Sequence, residues 1–416
     1  MTIGRWQWLY ALLTRRLWFR AGLYGVAAVV TALIAAFVSP LVPQDIPDVF
    51  GAESVEDILK IIATSMMAVA TFSLGATVSA LSSASGTATP RAAQLLVEDS
   101  TSQHIISAFI GAFIFSLVGI IALSTHFYGP GGRAILFFVT LIVVTSIIVT
   151  FFRWIDYLSQ LGRLSETVEK VEKAASDAMK ARWLTPCLGG QKLQTVPRSA
   201  APLNSDQFGY VQHLDIAALA RAAERAGGSV YVKRLPGAFA ETGQPLAFLT
   251  WRPDEDEGRD LAKAFLIGKV RSFEQDPRFG LIVFSEIASR ALSPGVNDPG
   301  TAIDIIGRMV RILSIWAEDR NPYETDIEYR NVSVPAIQDS DLFDDAFGPI
   351  ARDGAGTLEV AIRLQKALKS LSRIGPEDFR AAARHHATLA RKRSIAALQL
   401  SEDRVVIESY AASVSL

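Results

Sequence analysis

The chain has 416 residues, of which 50% are hydrophobic and 20% are charged, and its mean hydropathy is +0.26. This composition is too apolar for an ordinary soluble enzyme or a disordered chain. Basic and acidic residues nearly balance, 41 against 42, so the positive excess typical of nucleic-acid-binding proteins is missing and no nucleic-acid partner is predicted. The single cysteine, Cys187, excludes an internal disulfide and any multi-cysteine metal site.

Charge density divides the chain near residue 153. Residues 1–152 hold seven basic and seven acidic residues, whereas the other 264 residues hold 34 and 35. Four stretches of the first part contain no charged residue: 21–42, 61–84, 105–125 and 134–152. Each has roughly the ~20 residues that a helix needs to cross a bilayer. We therefore predict an α-helical membrane protein with four transmembrane helices in residues 1–153, surrounded by the lipid bilayer.

The positions of the basic residues predict the orientation. Four arginines precede the first stretch, and the loop that follows it, Pro43–Leu59, has five acidic residues and no lysine or arginine. Cytoplasmic loops carry the excess of basic residues, so both termini are predicted to lie in the cytoplasm. The acidic loop either is an ordinary solvated loop or concentrates cations at the outer face.

The second stretch carries small and polar residues at steps of three or four. On a helix they form one stripe, and they are Thr64, Ala68, Thr71, Gly75, Ser79 and Ser82. Such a stripe allows close packing of helices, or it lines a water-filled path in an oligomer. The polar segment 82–90, closed by Pro90, predicts the end of this helix.

The fourth stretch is predicted to continue as one helix to about Trp183. Residues 154–204 thus form a helical extension followed by a linker. A 4-3 spacing of apolar residues supports this and predicts packing either on the same chain or against another subunit: Tyr157, Leu161, Leu164, Val168, Val171, Ala175 and Ala178.

The remaining sequence predicts a cytoplasmic α+β domain in two parts. Residues 205–255 form a small β-rich subdomain with strands at 209–212, 229–234 and 247–251 and a helix at 216–226. Its segment 237–246 resembles the hairpin of a lipoyl-like barrel, but it contains no lysine, so no cofactor is predicted. Residues 256–416 form a mostly helical part, with helices that include 259–273 and 279–291 and one that starts at Asp298-Pro299.

Two sequence runs, 271–280 and 290–302, are distinctive. The second reads Arg-Ala-Leu-Ser-Pro-Gly-Val-Asn-Asp-Pro-Gly-Thr-Ala. Together with the four apolar stretches and Thr89-Pro90-Arg91, they resemble the domain-of-unknown-function 2254 family of predicted bacterial membrane proteins over nearly the whole chain. The resemblance implies a location in the bacterial inner membrane and brings no activity or catalytic residue with it.

The polar residues of these two runs are candidates for a site. Arg271, Glu274 and Gln275 are expected to share one helix. We expect these polar residues to form either a buried network that fixes helix packing or a pocket for a small ion or polar ligand. In the pocket, an anion would face the N-terminus of the helix that begins at Pro299. The candidate residues are Arg271, Glu274, Gln275, Asp276, Arg290, Asn297 and Asp298. No nucleophile–base pair, phosphate loop or metal-ligand spacing accompanies them, so neither an enzyme nor a metal site is predicted.

These patterns favour a homo-oligomeric channel for a small ion or solute, regulated by its cytoplasmic domain. The alternative is a membrane-anchored sensor or scaffold whose cytoplasmic domain binds a ligand or a partner protein. The stripe supports the first function, and the polar runs at 271–302 support the second.

Overall fold

The computed structural model describes residues 17–38, 52–97, 100–124, 130–318 and 327–412. They fall into two compact units, one that ends at Thr167 and one that begins at Val168. The basic residues before position 17 and residues 39–51 of the acidic loop region lie outside the described residues, so orientation stays a prediction.

The described residues of the first unit form helices joined by short turns, with no strand among them. Its helices are α1 (Leu17–Val38), α2 (Ala52–Thr87), α3 (Pro90–Val97), α4 (Ser100–Ser124) and α5 (Pro130–Gln160). Among the residues that the structure describes, three segments are long and apolar enough to cross a membrane, Ser54–Thr87, Thr101–Ser124 and Ala134–Gln160. In α1, the described apolar part is shorter, Gly22–Thr31.

The second membrane helix ends at Thr87, inside the predicted segment 82–90, but the loop that composition indicated for most of this segment is wrong. α2 continues through the polar segment to Thr87, and α3 begins at Pro90, where a helix tolerates proline because the first N–H needs no partner. The hydroxyl of Thr87 donates to the Ser83 carbonyl at 2.9 Å, and Thr89 Oγ1 accepts from the Ala92 amide at 3.1 Å. The Thr89 hydroxyl thus caps the first turn of α3, and the Thr87 hydroxyl bonds to the backbone of its own helix, where composition indicated a loop.

Helix α4 is at the centre of the first unit and packs against α1 and α2. Its Phe109 and Phe115 are buried. The closest approaches are at glycines of α4: a Cβ on Gly111 would lie 2.6 Å from Tyr24 Cβ, and one on Gly119 would lie 2.9 Å from Leu59 Cδ1. Small residues thus bring helices together on α4.

The continuous helix predicted from Ala134 to Trp183 is also wrong. α5 ends at Gln160, and α6 (Leu164–Leu184) begins after a turn at Gly162, whose φ of +82° is a conformation that glycine adopts without strain. The apolar spacing continues across this break because both helices bury one face. In α6, Val171 and Ala175 are fully buried, and Ala175 lies directly against Gly280 of the same chain. This part of the 4-3 pattern therefore packs on its own chain.

The second unit combines two sheets with helices. After α6 the elements are β1 (Gly190–Lys192), β2 (Ala201–Asn204), β3 (Gly209–Leu214), α7 (Ile216–Ala226), β4 (Val230–Val232), β5 (Phe239–Ala240), β6 (Pro245–Leu249), α8 (Glu255–Ala262), β7 (Phe265–Gly268), α9 (Pro277–Ala291), α10 (Pro299–Trp316), β8 (Tyr329–Val334), α11 (Asp339–Asp353), α12 (Leu358–Leu371), α13 (Glu377–Ala397) and α14 (Ser401–Ala412).

Strand pairing does not produce the lipoyl-like hairpin. One sheet has the order β1-β8-β4-β6-β2 and the other the order β5-β3-β7. β5 and β6, the two arms of the expected hairpin, therefore belong to different sheets: β5 pairs antiparallel with β3, and β6 pairs with β2 and β4. The glycines that indicated a hairpin allow the chain to pass from one sheet to the other.

The helix predicted at 259–273 is replaced by α8, β7 and a loop. Its apolar residues 265–267 pair with β3 as a strand, because they lie against the core beneath the sheets. The loop after β7 runs to Asp276, and Arg271, Glu274 and Gln275 therefore do not share a helix. The predicted helix starting at Pro299 is confirmed, and α9 to α13 bury an aromatic core that includes Phe284, Phe343, Phe347 and Phe379.

Candidate functional site

The second unit contains a cavity of about 330 Å³ beside the loop that links β7 to α9. Its lining comes from α6, the β4–β5 turn, this loop, the start of α9 and the segment around the start of α11. The lining residues are Arg182, Lys233, Leu235, Pro236, Gly237, Ala238, Arg271, Asp276, Arg278, Pro335, Ala336, Ile337 and Asp341.

A tight turn forms one wall of the cavity. The Ala238 amide donates to the Leu235 carbonyl at 3.0 Å, with Pro236 and Gly237 at the central positions and a φ of +91° at Gly237, as in a type II turn. A Cβ on Gly237 would lie 2.6 Å from Asp276 Cγ and 2.8 Å from Arg271 Nη2. This position therefore needs glycine both for its backbone and for its distance from the neighbouring charges.

Those charges form a buried ion pair. The Arg271 guanidinium donates to Asp276 Oδ2 through Nε at 2.8 Å and approaches it through Nη2 at 2.7 Å. Asp276 is 2% exposed, and burial raises the pKa of its carboxyl group, although Arg271, Arg182 and Arg278 favour the carboxylate. Asp276 is the N-cap residue of α9, but its carboxylate makes no capping hydrogen bond to this helix.

The loop that carries this pair is attached to β3. Gln275 Oε1 accepts from the Leu214 amide at 2.9 Å, Ser272 Oγ donates to the Gln212 carbonyl at 3.1 Å, and Gln212 Nε2 donates to the Val270 carbonyl at 2.7 Å. These contacts hold the loop in one position and so fix Arg271 and Asp276 at the cavity wall.

Arg182 on α6 is the most deeply buried cation of the lining. Its Nη2 donates to the Gln275 carbonyl at 2.8 Å, but its Nε and Nη1 are buried without a hydrogen-bond partner in the described structure. Burial lowers the pKa of this guanidinium to about 10, against the opposing effect of Asp276, so the group stays protonated at neutral pH. An incompletely bonded buried guanidinium is costly, and this one lies beside an open space.

Arg278, by contrast, is already neutralised. Its Nε donates to Asp345 Oδ2 at 2.6 Å and its Nη1 to Asp341 Oδ2 at 2.7 Å, which links the start of α9 to α11. Burial opposes the charge of Arg278, but the two carboxylates raise the pKa of the guanidinium overall.

The structure separates the predicted polar residues into two groups. Arg271 and Asp276 line the cavity, Gln275 supports it, and Glu274 is exposed outside the lining. The second group follows at the other end of α9, a helix of 15 residues and therefore ~22 Å long. It consists of Arg290, Asn297 and Asp298, and none of these lines the cavity.

Arg290 lies in the last turn of α9, whereas Asn297 and Asp298 form the start of α10. Asp298 Oδ1 accepts from the Thr301 amide at 3.0 Å and Oδ2 from the Thr301 hydroxyl at 2.6 Å, and these bonds lower the pKa of Asp298. Asn297 has a φ of +50° in the preceding turn. Because the chain's own carboxylate occupies the helix N-terminus, the expectation of an anion there loses its support.

The stripe on α2 lies on an outward face of the first unit. All six residues, Thr64 to Ser82, are exposed, and a Cβ on Gly75 would meet no atom within 4 Å. The face that packs within the unit carries Ile62, Met66 and Ala70 instead. Thr64 and Thr71 donate their hydroxyls to carbonyls four residues earlier, each at 2.9 Å.

Sequence reasoning missed Arg182, Lys233, Gly237 and Arg278 as neighbours of Arg271 and Asp276. Arg278 was the one with a signal, since it stands inside the distinctive run 271–280. In the described part of the chain, no group of three or more histidine, cysteine, aspartate or glutamate side chains is arranged to hold a metal ion.

Comparison with known proteins agrees with a membrane location. Uncharacterised proteins of Mycobacterium bovis and Mycobacterium tuberculosis are each 24% identical over 282 residues, or 64% of this chain and 53% of the relative. The chain thus spans about half the length of these curated relatives. No solved structure matches it. The family model described as predicted membrane protein (DUF2254) matches residues 14–370, and the chain belongs to this family.

Proposed function

We propose that the protein is a membrane-anchored sensor whose second unit binds a small ligand in the cavity beside Arg271 and Asp276. The observation that carries the proposal is the cavity itself: about 330 Å³, within the range of small-molecule sites, with charged groups on an otherwise largely apolar lining. No enzymatic activity belongs to this proposal.

The membrane anchor in this proposal consists of four transmembrane helices in the bacterial inner membrane, with both termini in the cytoplasm. Support comes from the three long apolar segments, from the apolar part of α1 and from the placement of arginines before the first stretch. The ligand-binding unit then faces the metabolites of the cell interior.

Ligand binding can be tested by thermal unfolding of the full chain in detergent against a panel of charged and neutral metabolites. Ala336→Trp places a large ring in the cavity lining, whereas Ala397→Trp adds the same ring at an exposed position of α13. We expect at least one metabolite to raise the melting temperature of the parent protein and of A397W but not of A336W. If none does so, or if A336W responds equally, the cavity is not a ligand site.

A second candidate function is an oligomeric channel, with another copy of the chain as partner. It is favoured by the outward stripe on α2, which leaves small and hydroxyl side chains uncovered in a single copy. In an oligomer, this stripe would surround the permeation path for a small ion or solute, and the second unit would regulate it.

Single-cysteine labelling tests the channel. In a Cys187→Ser background, a water-soluble thiol reagent should modify Thr71→Cys but not Phe72→Cys, because adjacent helical positions point about 100° apart and Phe72, 64% exposed, would face lipid. Labelling confined to the ends of α2, or equal at both positions, would contradict a pore along the stripe.

A further inference from the structure

The cations of the cavity lining differ in how well they are neutralised. Arg271 is paired with Asp276, and Arg278 is paired with both Asp341 and Asp345. Within the described residues, Arg182 and Lys233 have no carboxylate within ion-pair distance. The lining thus holds two cations that no carboxylate of the described residues binds directly.

Arg182 is the more informative of the two because water does not reach it freely. The residue is 2% exposed, and two of its three guanidinium nitrogens make no hydrogen bond within the described structure. Asp276 supplies a favourable charge nearby, but both hydrogen bonds that its carboxylate accepts at Oδ2 come from Arg271. A buried guanidinium in this state favours any additional negative charge that enters the adjacent space.

The rest of the lining determines what else the ligand needs. Leu235, Pro236, Pro335, Ala336 and Ile337 contribute apolar surface, and Lys233 is an exposed cation that can contact an anion without full loss of its water. Guanidinium and ammonium groups of this kind bind phosphate and carboxylate groups strongly. The cavity volume of about 330 Å³ is large enough for a small organic anion and is much larger than a bare ion needs.

We propose that the natural ligand of this cavity is a small oxyanion-bearing molecule, with a phosphate or carboxylate group placed next to Arg182 and Lys233 and an apolar part against the Pro335–Ile337 segment. This inference rests on the proposed ligand-binding function and specifies its chemical class. The bound anion neutralises Arg182 and links α6, which carries this arginine, to the β4–β5 turn and the loop before α9.

The test is anion binding by the full chain in detergent at constant ionic strength. The probes are inorganic phosphate and acetate, with chloride as the reference and glycerol as the neutral probe. If phosphate raises the melting temperature at a lower concentration than acetate does, the ligand is a phosphate ester; the reverse order indicates a carboxylate. Repeating the phosphate titration in phosphatidylglycerol nanodiscs shows whether a lipid headgroup competes for the site.

Three variants assign the effect to the cavity. Lys233→Gln removes an exposed charge of the lining, Arg182→Gln removes the buried one, and Lys392→Gln removes an exposed charge of α13 outside the lining. Since one charge-assisted hydrogen bond contributes about 1.5–3 kcal/mol, we expect R182Q to weaken anion binding about 10- to 100-fold. K233Q should weaken it less, and K392Q should leave it unchanged.

Each outcome is decisive. Equal anion responses in K233Q, K392Q and the parent protein would overturn the inference, and K233Q keeps this test open even if R182Q does not fold. If a neutral metabolite binds in a manner sensitive to A336W while phosphate and acetate do not, the sensor function stands and the oxyanion class is wrong. If nothing binds, both proposals fail.

Discussion

Gly237 offers a direct test of how the cavity wall is built. At φ +91°, any other residue in this turn is strained by about 1–2 kcal/mol. Alanine would also place its Cβ 2.6 Å from Asp276 Cγ, in a part of the structure where the carboxylate is already held by Arg271. Forcing an extra methyl group into a packed site costs typically about 1–3 kcal/mol. We therefore expect Gly237→Ala to lose about 2–5 kcal/mol of unfolding free energy.

Gly243 provides the matched control, because its φ of +79° has a similar backbone cost while a Cβ there meets no atom within 4 Å. The difference between Gly237→Ala and Gly243→Ala therefore isolates the contact with the ion pair. For a unit of this size, a 2 kcal/mol difference corresponds to about 4–8 °C in the melting temperature. Thermal unfolding in detergent measures it, and equal melting temperatures for the two variants would refute the described packing of Gly237 against Asp276.

Three further predictions concern the second unit. Burial lowers the pKa of His386, with Asp344 opposing, so the native state takes up fewer protons than the unfolded chain, and stability should fall as pH drops through about 6.5. His386→Gln should flatten this pH dependence. His385→Gln, at the exposed neighbour, removes only a smaller contribution to the lowered pKa of His386 and should preserve most of the pH dependence, as measured by melting curves at pH 7.5 and 5.5. Asp298→Ala removes the cap of α10 and should lower the free energy of unfolding, measured with denaturant, by about 1 kcal/mol. Asp298→Asn should avoid most of this loss, because asparagine also caps helices. Glu172→Gln removes the carboxylate that Arg308 and Arg311 share and should lower the melting temperature, whereas Asp177→Gln, at an exposed α6 residue, should not.

The sequence predicted the local elements best where the signal was local. The helix at 216–226 has the predicted bounds, because Asp215 caps its first turn and Gly227 ends it in the left-handed conformation. Charge density and apolar length were likewise sufficient to identify the membrane part, since both depend on composition over ~20 residues. In these cases no distant contact competes with the local preference.

Predictions failed where two elements share one pattern. The apolar spacing at 157–178 continues through the break at Gly162, so periodicity alone cannot locate the end of α5. The apolar residues 265–267 fall within the helix predicted at 259–273, but they form a strand because they pair with β3. Whether such a segment becomes a strand depends on its pairing partner, β3, which lies more than 50 residues earlier in the sequence.

The cavity shows why a site is harder to predict than a fold. Arg271 and Asp276 were found because they are five residues apart in one distinctive run, but Arg182 is 89 residues earlier, in a helix whose surface sequence is rich in charge. Its importance comes from burial, which the sequence of α6 does not reveal: the neighbouring Lys180 and Ala181 are exposed, whereas Arg182 points inward to the Gln275 carbonyl. A buried charged residue becomes a candidate binding group when folding removes its water without supplying full compensation. Arg182 meets that condition and Arg278, paired with two aspartates, does not; this difference is the reason for placing the anion beside α6.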